Sequence, residues 1–125
     1  MNPEEFPEDL LRFIHTSIAS IPYLEALLLL RGTPGKSWDV AGVAARLYLP
    51  GSEVRELLKF LSDSGMLVEK DGNYRYQPQS EELRSVIDLL ARCYSENLVE
   101  ITKIIHSGTS RKAHIFADAF KWRKD

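Results

Sequence analysis

Few residues of the types that catalyse reactions or bind metals occur in this chain, and their spacing suits neither task. His15, His106 and His114 share no ligand spacing with one another or with Cys93, whereas zinc sites need such residues in close, regular pairs. No serine or cysteine stands in a recognisable nucleophile motif. The sequence therefore predicts a protein that is not an enzyme, with no metal site and no cofactor.

A glycine-rich segment, residues 32–37, ends in Gly-Lys-Ser and so shares its last residues with phosphate-binding loops. Such a loop has four residues between its glycines and follows a strand. Here only Thr33 and Pro34 separate the two glycines, and the residues before them form a leucine-rich helical pattern. We interpret the segment as a turn that leads into a helix capped by Ser37.

The charge of the chain is −2 overall and is unevenly distributed. Residues 1–30 carry five acids and one base, whereas residues 31–77 and 78–125 each have one base in excess. The acidity is thus an N-terminal feature, and the central segment is only mildly basic. That balance is weaker than the basic patch typical of a strong nucleic-acid binder.

The cellular setting is predicted from the single cysteine, the N-terminus and the apolar runs. Cys93 cannot form an internal disulfide, and the acidic N-terminus is unlike the positively charged start of a secretory signal. The longest apolar run, residues 26–30 with Tyr23 and Leu24 shortly before it, is far shorter than the roughly 20 residues needed to cross a bilayer. We expect a cytoplasmic protein with no membrane partner.

The apolar spacing predicts one mainly α-helical domain over residues 1–125, with a small β-hairpin. Residues 7–31 form N-terminal helices, because apolar residues recur there every three or four positions and Pro22 interrupts them. Residues 37–78 contain two short helices and a hairpin closed by Asp71-Gly72-Asn73. Residues 80–125 contain one long helix, without a breaker up to residue 107, and a short last helix.

The central segment carries a family resemblance. Its residues are Trp38-Asp39-Val40-Ala41, Ala44-Ala45-Arg46-Leu47, Ser52-Glu53-Val54-Arg55-Glu56-Leu57-Leu58, Leu61, Gly65-Met66-Leu67-Val68 and Tyr74-Arg75-Tyr76. This order resembles the winged helix-turn-helix core of MarR-type bacterial transcriptional regulators. The extra N-terminal helix and the long C-terminal helix resemble the helices that such regulators use to dimerise.

The resemblance implies binding to double-stranded DNA, with the second short helix in the major groove and the hairpin on the sugar-phosphate backbone or minor groove. At about 100° per residue, the helix face opposite its apolar stripe presents Ser52 and Lys59, with Arg55 at the side. Glu56 and Asp63 also point outward. The predicted DNA-binding residues are Ser52, Arg55, Lys59, Lys70, Asn73 and Arg75.

The long C-terminal stripe predicts a homodimer, because it exceeds what one small domain can cover. The predicted interface residues are Leu83, Ile87, Leu90, Tyr94, Leu98, Ile101, Ile105, Phe116 and Phe120. The stripe can instead pack on the N-terminal helices, wholly or in part. An alternative function is a protein–protein interaction module without significant DNA binding, in which the cationic C-terminal helix contacts a partner.

Overall fold

A computed structural model describes residues 6–107 of the chain. This part is mainly helical, with a small three-stranded antiparallel sheet. In chain order the elements are α1 Glu8–Ser17, α2 Ile21–Arg31, β1 Trp38–Asp39, α3 Val40–Leu47, α4 Gly51–Asp63, β2 Leu67–Lys70, β3 Asn73–Tyr76, α5 Glu81–Glu96 and a helical segment over 98–107, here called α6. The expected order is confirmed from the N-terminal helices through the hairpin to the helix that follows it, whereas the predicted short last helix lies outside the described residues.

The two N-terminal helices lie within the predicted residues 7–31, on either side of a break before Pro22. Pro7 directly precedes α1, whose first turn carries Glu8 and Asp9, where acids complement the helix dipole. Pro22 lies in the first turn of α2, a position that needs no backbone N–H donor. Both helices therefore begin where the prolines indicate.

The cap of α3 differs from the prediction. Asp39, not Ser37, precedes the helix, and its Oδ1 accepts a hydrogen bond from the Gly42 backbone N–H at 2.7 Å. The reason is a strand that the sequence did not predict: Trp38 and Asp39 form β1 and pair with Tyr74 and Asn73 of β3. The helix therefore begins only after this pairing ends.

The sheet has the order β1-β3-β2, and the hairpin lies where it was predicted. Leu67 pairs with Tyr76 and Lys70 pairs with Asn73. Asp71 and Gly72 have φ of 55° and 82°, the positive values that a tight two-residue hairpin turn requires. Gly65, with φ of 81°, ends α4 as expected and leads directly into the sheet.

The predicted single helix over residues 80–107 is wrong, because it is interrupted at Asn97. Asn97 has φ −137° and ψ 55°, and its backbone N–H bonds back to Cys93 while its carbonyl accepts from Ile101. It thus closes α5 and opens α6. Asparagine is among the preferred residues at a helix start, and the apolar periodicity continues across the break.

One core joins the N-terminal and C-terminal helices to the central elements. The apolar stripe of α4, formed by Val54, Leu57, Leu58 and Leu61, is completely buried. So are several residues that were predicted to face a second copy: Ile87, Leu90, Ile101 and Ile105. These four lie inside the chain's own core, because α5 and α6 pack against it, and they are not available to a partner in this structure.

Candidate nucleic-acid interface

The orientation of α4 is fixed because its apolar face is buried in the core, and the opposite face is therefore directed into solvent. Because four apolar residues of the helix point into the core, the side chains about half a turn away face solvent. Ser52, Arg55 and Lys59 are all exposed, as predicted. The helix therefore presents these polar side chains outward on a rigid, well-anchored element.

The two cations of this face, Arg55 and Lys59, differ in whether an acidic side chain pairs with them. Lys59 Nζ donates a hydrogen bond to Asp63 Oδ2, one turn along the helix, at 2.7 Å, and this bond raises the pKa of Lys59 above its usual value. Arg55 forms no ion pair with the residues that the structure describes. Arg55 is thus the cation of this face that is not already neutralised by a neighbour.

Two glutamates lie on the flank of α4 that faces α2. The pKa of Tyr23, on α2, is raised by burial and then by the charges of Glu56 and Glu53. The Tyr23 ring also meets Phe60 edge to face, with centroids 5.5 Å apart. Glu56 therefore lies toward the α2 flank of the outward face, whereas Arg55 lies on the opposite flank, nearly a third of a helical turn away by about 100° per residue.

Strand alternation places the two tyrosines of β3 on one face of the hairpin and Asn73 and Arg75 on the other. Tyr74 and Tyr76 are half-buried against the core. Lys70, Asn73 and Arg75 are exposed, and Lys70 lies directly opposite Asn73 in the register. Arg75 Nη2 donates to Gln77 Oε1 at 2.8 Å. The outer face of the hairpin thus carries two cations and one amide.

One prominent residue near this face was missed by sequence reasoning. Tyr48, between α3 and α4, is 93% exposed and has φ 57° and ψ 46°. Pro50-Gly51 signals a turn at this position, but no local pattern shows which side chain the turn projects into solvent. Arg46, at the end of α3, is exposed beside it.

Other parts of the described structure offer little chemistry. Residues 6–107 contain no group of three His, Cys, Asp or Glu side chains that could hold a metal ion. A shallow groove of about 490 Å³ lies between α1 and α5, with acidic side chains from Asp9, Glu81 and Glu82. Burial raises the pKa of the Cys93 thiol, so this cysteine is a poor nucleophile.

No single helix among residues 6–107 is long and apolar enough to cross a membrane, and the one bent pair that passes by length and composition, α1 with α2, turns by 107°.

Besides the four buried residues, the predicted dimer residues are divided among three settings. Leu83 and Tyr94 are half-buried against the core, whereas Leu98 is 54% exposed, next to Val99 at 61%. Phe116 and Phe120 lie outside the described residues. Of the predicted interface, Leu98 is the residue that lies openly on the surface.

Comparison of the chain with protein-family models, with curated proteins and with solved structures gives no match.

Proposed function

We propose that this chain is a winged helix-turn-helix protein that binds double-stranded DNA as a homodimer and regulates transcription. The observation that carries the proposal is the placement of α4: one face is fully buried, the other is exposed, and the polar hairpin follows it directly. An α-helix of this kind fits the major groove of B-DNA. The hairpin then serves as the wing and contacts the backbone.

The proposed contacts fall into two classes. Ser52, Arg55 and Lys59 face the base edges, where arginine and lysine pair with guanine. Lys70, Asn73 and Arg75 on the hairpin contact phosphates, which position the protein without reading sequence. Because Asp63 neutralises Lys59, Arg55 is the principal base-reading residue on α4.

The test is a fluorescence-anisotropy titration against duplexes recovered from mixed genomic fragments, at two salt concentrations. Arg55→Ala combined with Lys59→Ala is expected to weaken binding by at least about tenfold, the loss of one good bidentate contact. The matched control is Arg92→Ala combined with Lys103→Ala, which removes the same charge from exposed positions on α5 and α6. Equal affinities for the two double variants would contradict the proposed surface.

The composition of α4 favours a second candidate, a protein-interaction module. The helix carries three acids, Glu53, Glu56 and Asp63, against two bases, and acids repel phosphates. This candidate predicts negligible DNA affinity even at low salt. It also predicts that the alanine variants of Arg55 and Lys59 weaken association with a protein partner instead.

A further inference from the structure

Tyr48 has a backbone conformation that its residue type disfavours. It follows α3 with φ 57° and ψ 46°, in the left-handed region. A side chain with a Cβ is strained there, and glycine is the usual residue at such a helix end. Strain of this kind persists where the surroundings impose it, and it clusters at functional sites.

The fold gains no visible packing from the tyrosine ring. Tyr48 is 93% exposed, whereas Leu47 and Leu49 on either side are partly buried against the core. These two leucines fix the turn, and the strained residue between them projects into solvent. A glycine at this position would satisfy the backbone equally well and would expose no aromatic surface.

The turn that carries the ring is open to solvent, and its exposed residues up to Ser52 include no acid. The exposed residues of the turn, here called the elbow, are Ala45, Arg46, Tyr48, Pro50, Gly51 and Ser52. A side chain added at Gly51 would meet nothing within 4 Å, so a ligand can approach the beginning of α4 closely. Arg46 is the only charged residue of the elbow, and it forms no ion pair with the described residues.

We infer that Tyr48 is a DNA-backbone contact, an inference that rests on the proposed function. When α4 enters the major groove, the elbow lies at the edge of the groove, where the sugar-phosphate chain runs. The ring packs on a deoxyribose, the phenolic hydroxyl donates a hydrogen bond to a phosphate oxygen, and Arg46 pairs with an adjacent phosphate. This contact supplies affinity and orientation but no sequence preference.

The deciding variant is Tyr48→Gly, for which stability and binding are expected to move in opposite directions. Because the strain is relieved and no packing is lost, the melting temperature should rise by about 4 °C. Affinity should fall by more than about tenfold, because the loss of a hydrogen bond to a charged group alone costs about tenfold and the packing of the ring is lost as well. The loss should be the same for every duplex sequence. Tyr48→Phe should leave the melting temperature unchanged and weaken binding less.

The matched control is Asp71→Gly, which replaces the second non-glycine residue with positive φ among residues 6–107, at 55° in the hairpin turn. It should also be at least as stable as the wild type, but its affinity for DNA should not fall. A Tyr48→Gly variant that binds as tightly as the wild type, or that melts at a lower temperature, would overturn the inference alone. Failure of the wild type to bind any duplex at low salt would overturn the proposed function together with it.

Discussion

Gly65 is the residue that connects α4 to the sheet. It has φ of 81°, and its carbonyl accepts a hydrogen bond from the Gln79 backbone N–H at 2.9 Å. A Cβ added at this position would overlap the side chain of Gln79. The backbone angle therefore favours glycine here, whereas the overlap involves only the flexible end of the Gln79 side chain.

Gly65→Ala is expected to lower the free energy of unfolding by about 1–2 kcal/mol, since the native conformation is incompatible with a side chain. Urea denaturation monitored by circular dichroism measures the change. The control is Gly51→Ala in the first turn of α4, where an added Cβ meets open space. The control should lose no stability; an equal loss in both variants would show that the conformation of Gly65 is not the cause.

At the residue scale the sequence predicts exposure better than it predicts capping. The exposed positions of Ser52, Arg55 and Lys59 follow from helical periodicity alone, because the apolar stripe determines the opposite face. The cap of α3 depends on Asp39 pairing with Asn73, which lies far along the chain. A local pattern of residue types contains no information about such a pairing.

One ion pair on α4 reduces the positive charge that the helix presents to a ligand. Lys59 and Asp63 are one turn apart and both exposed, so solvent screens their attraction and the pair adds little to stability. Its effect on binding is larger, because a paired lysine releases fewer counterions when it meets a phosphate. The acid at residue 63 therefore weakens whatever affinity the helix has for DNA.

Asp63→Asn is expected to raise the affinity for duplex DNA by about fivefold at 0.1 M salt, the approximate effect of one additional phosphate contact. Anisotropy titrations of the variant and the wild type at equal salt measure the change. Glu96→Gln, at an exposed position near the end of α5, makes the same change in net charge away from α4. If it strengthens binding as much as Asp63→Asn does, the effect belongs to the net charge and not to α4.

At the element scale the sequence indicates most helices and the hairpin but not the break at Asn97 or strand β1. Apolar residues continue at helical spacing from α5 into α6, so periodicity cannot distinguish one long helix from two that pack on the same core. The break is visible only in the backbone of Asn97, with its φ of −137° and ψ of 55°. Strand β1 has two residues, too few for any alternation to be detected.

The molecule as a whole uses its C-terminal helices to complete a core, which changes how a dimer can form. Arg31 Nε, at the end of α2, lies 3.0 Å from Asp88 Oδ1 on α5. This partly exposed ion pair links the two helices. With the stripe of α5 and α6 largely buried, a second copy has a smaller apolar surface to contact. Leu98 and Val99, at the start of α6, are the exposed apolar residues of these two helices.

If two copies associate through Leu98 and Val99, the double variant Leu98→Glu with Val99→Glu should sediment as a monomer at concentrations where the wild type is a dimer. Burying four added carboxylates in the interface carries a large desolvation cost. Circular dichroism should be unchanged, because both side chains are mainly exposed in the single chain. Affinity for a two-site duplex should fall by about a hundredfold, since the second α4 is no longer tethered.

The control for this experiment is Val68→Glu, which places one carboxylate at an exposed apolar residue of the hairpin. It should leave the dimer intact and weaken DNA binding directly, because residue 68 lies opposite Arg75 in the sheet. Sedimentation and binding thus separate the two surfaces. A wild-type chain that is monomeric at every accessible concentration would rule out the dimer, while the DNA contact of a single α4 would remain to be measured on a one-site duplex.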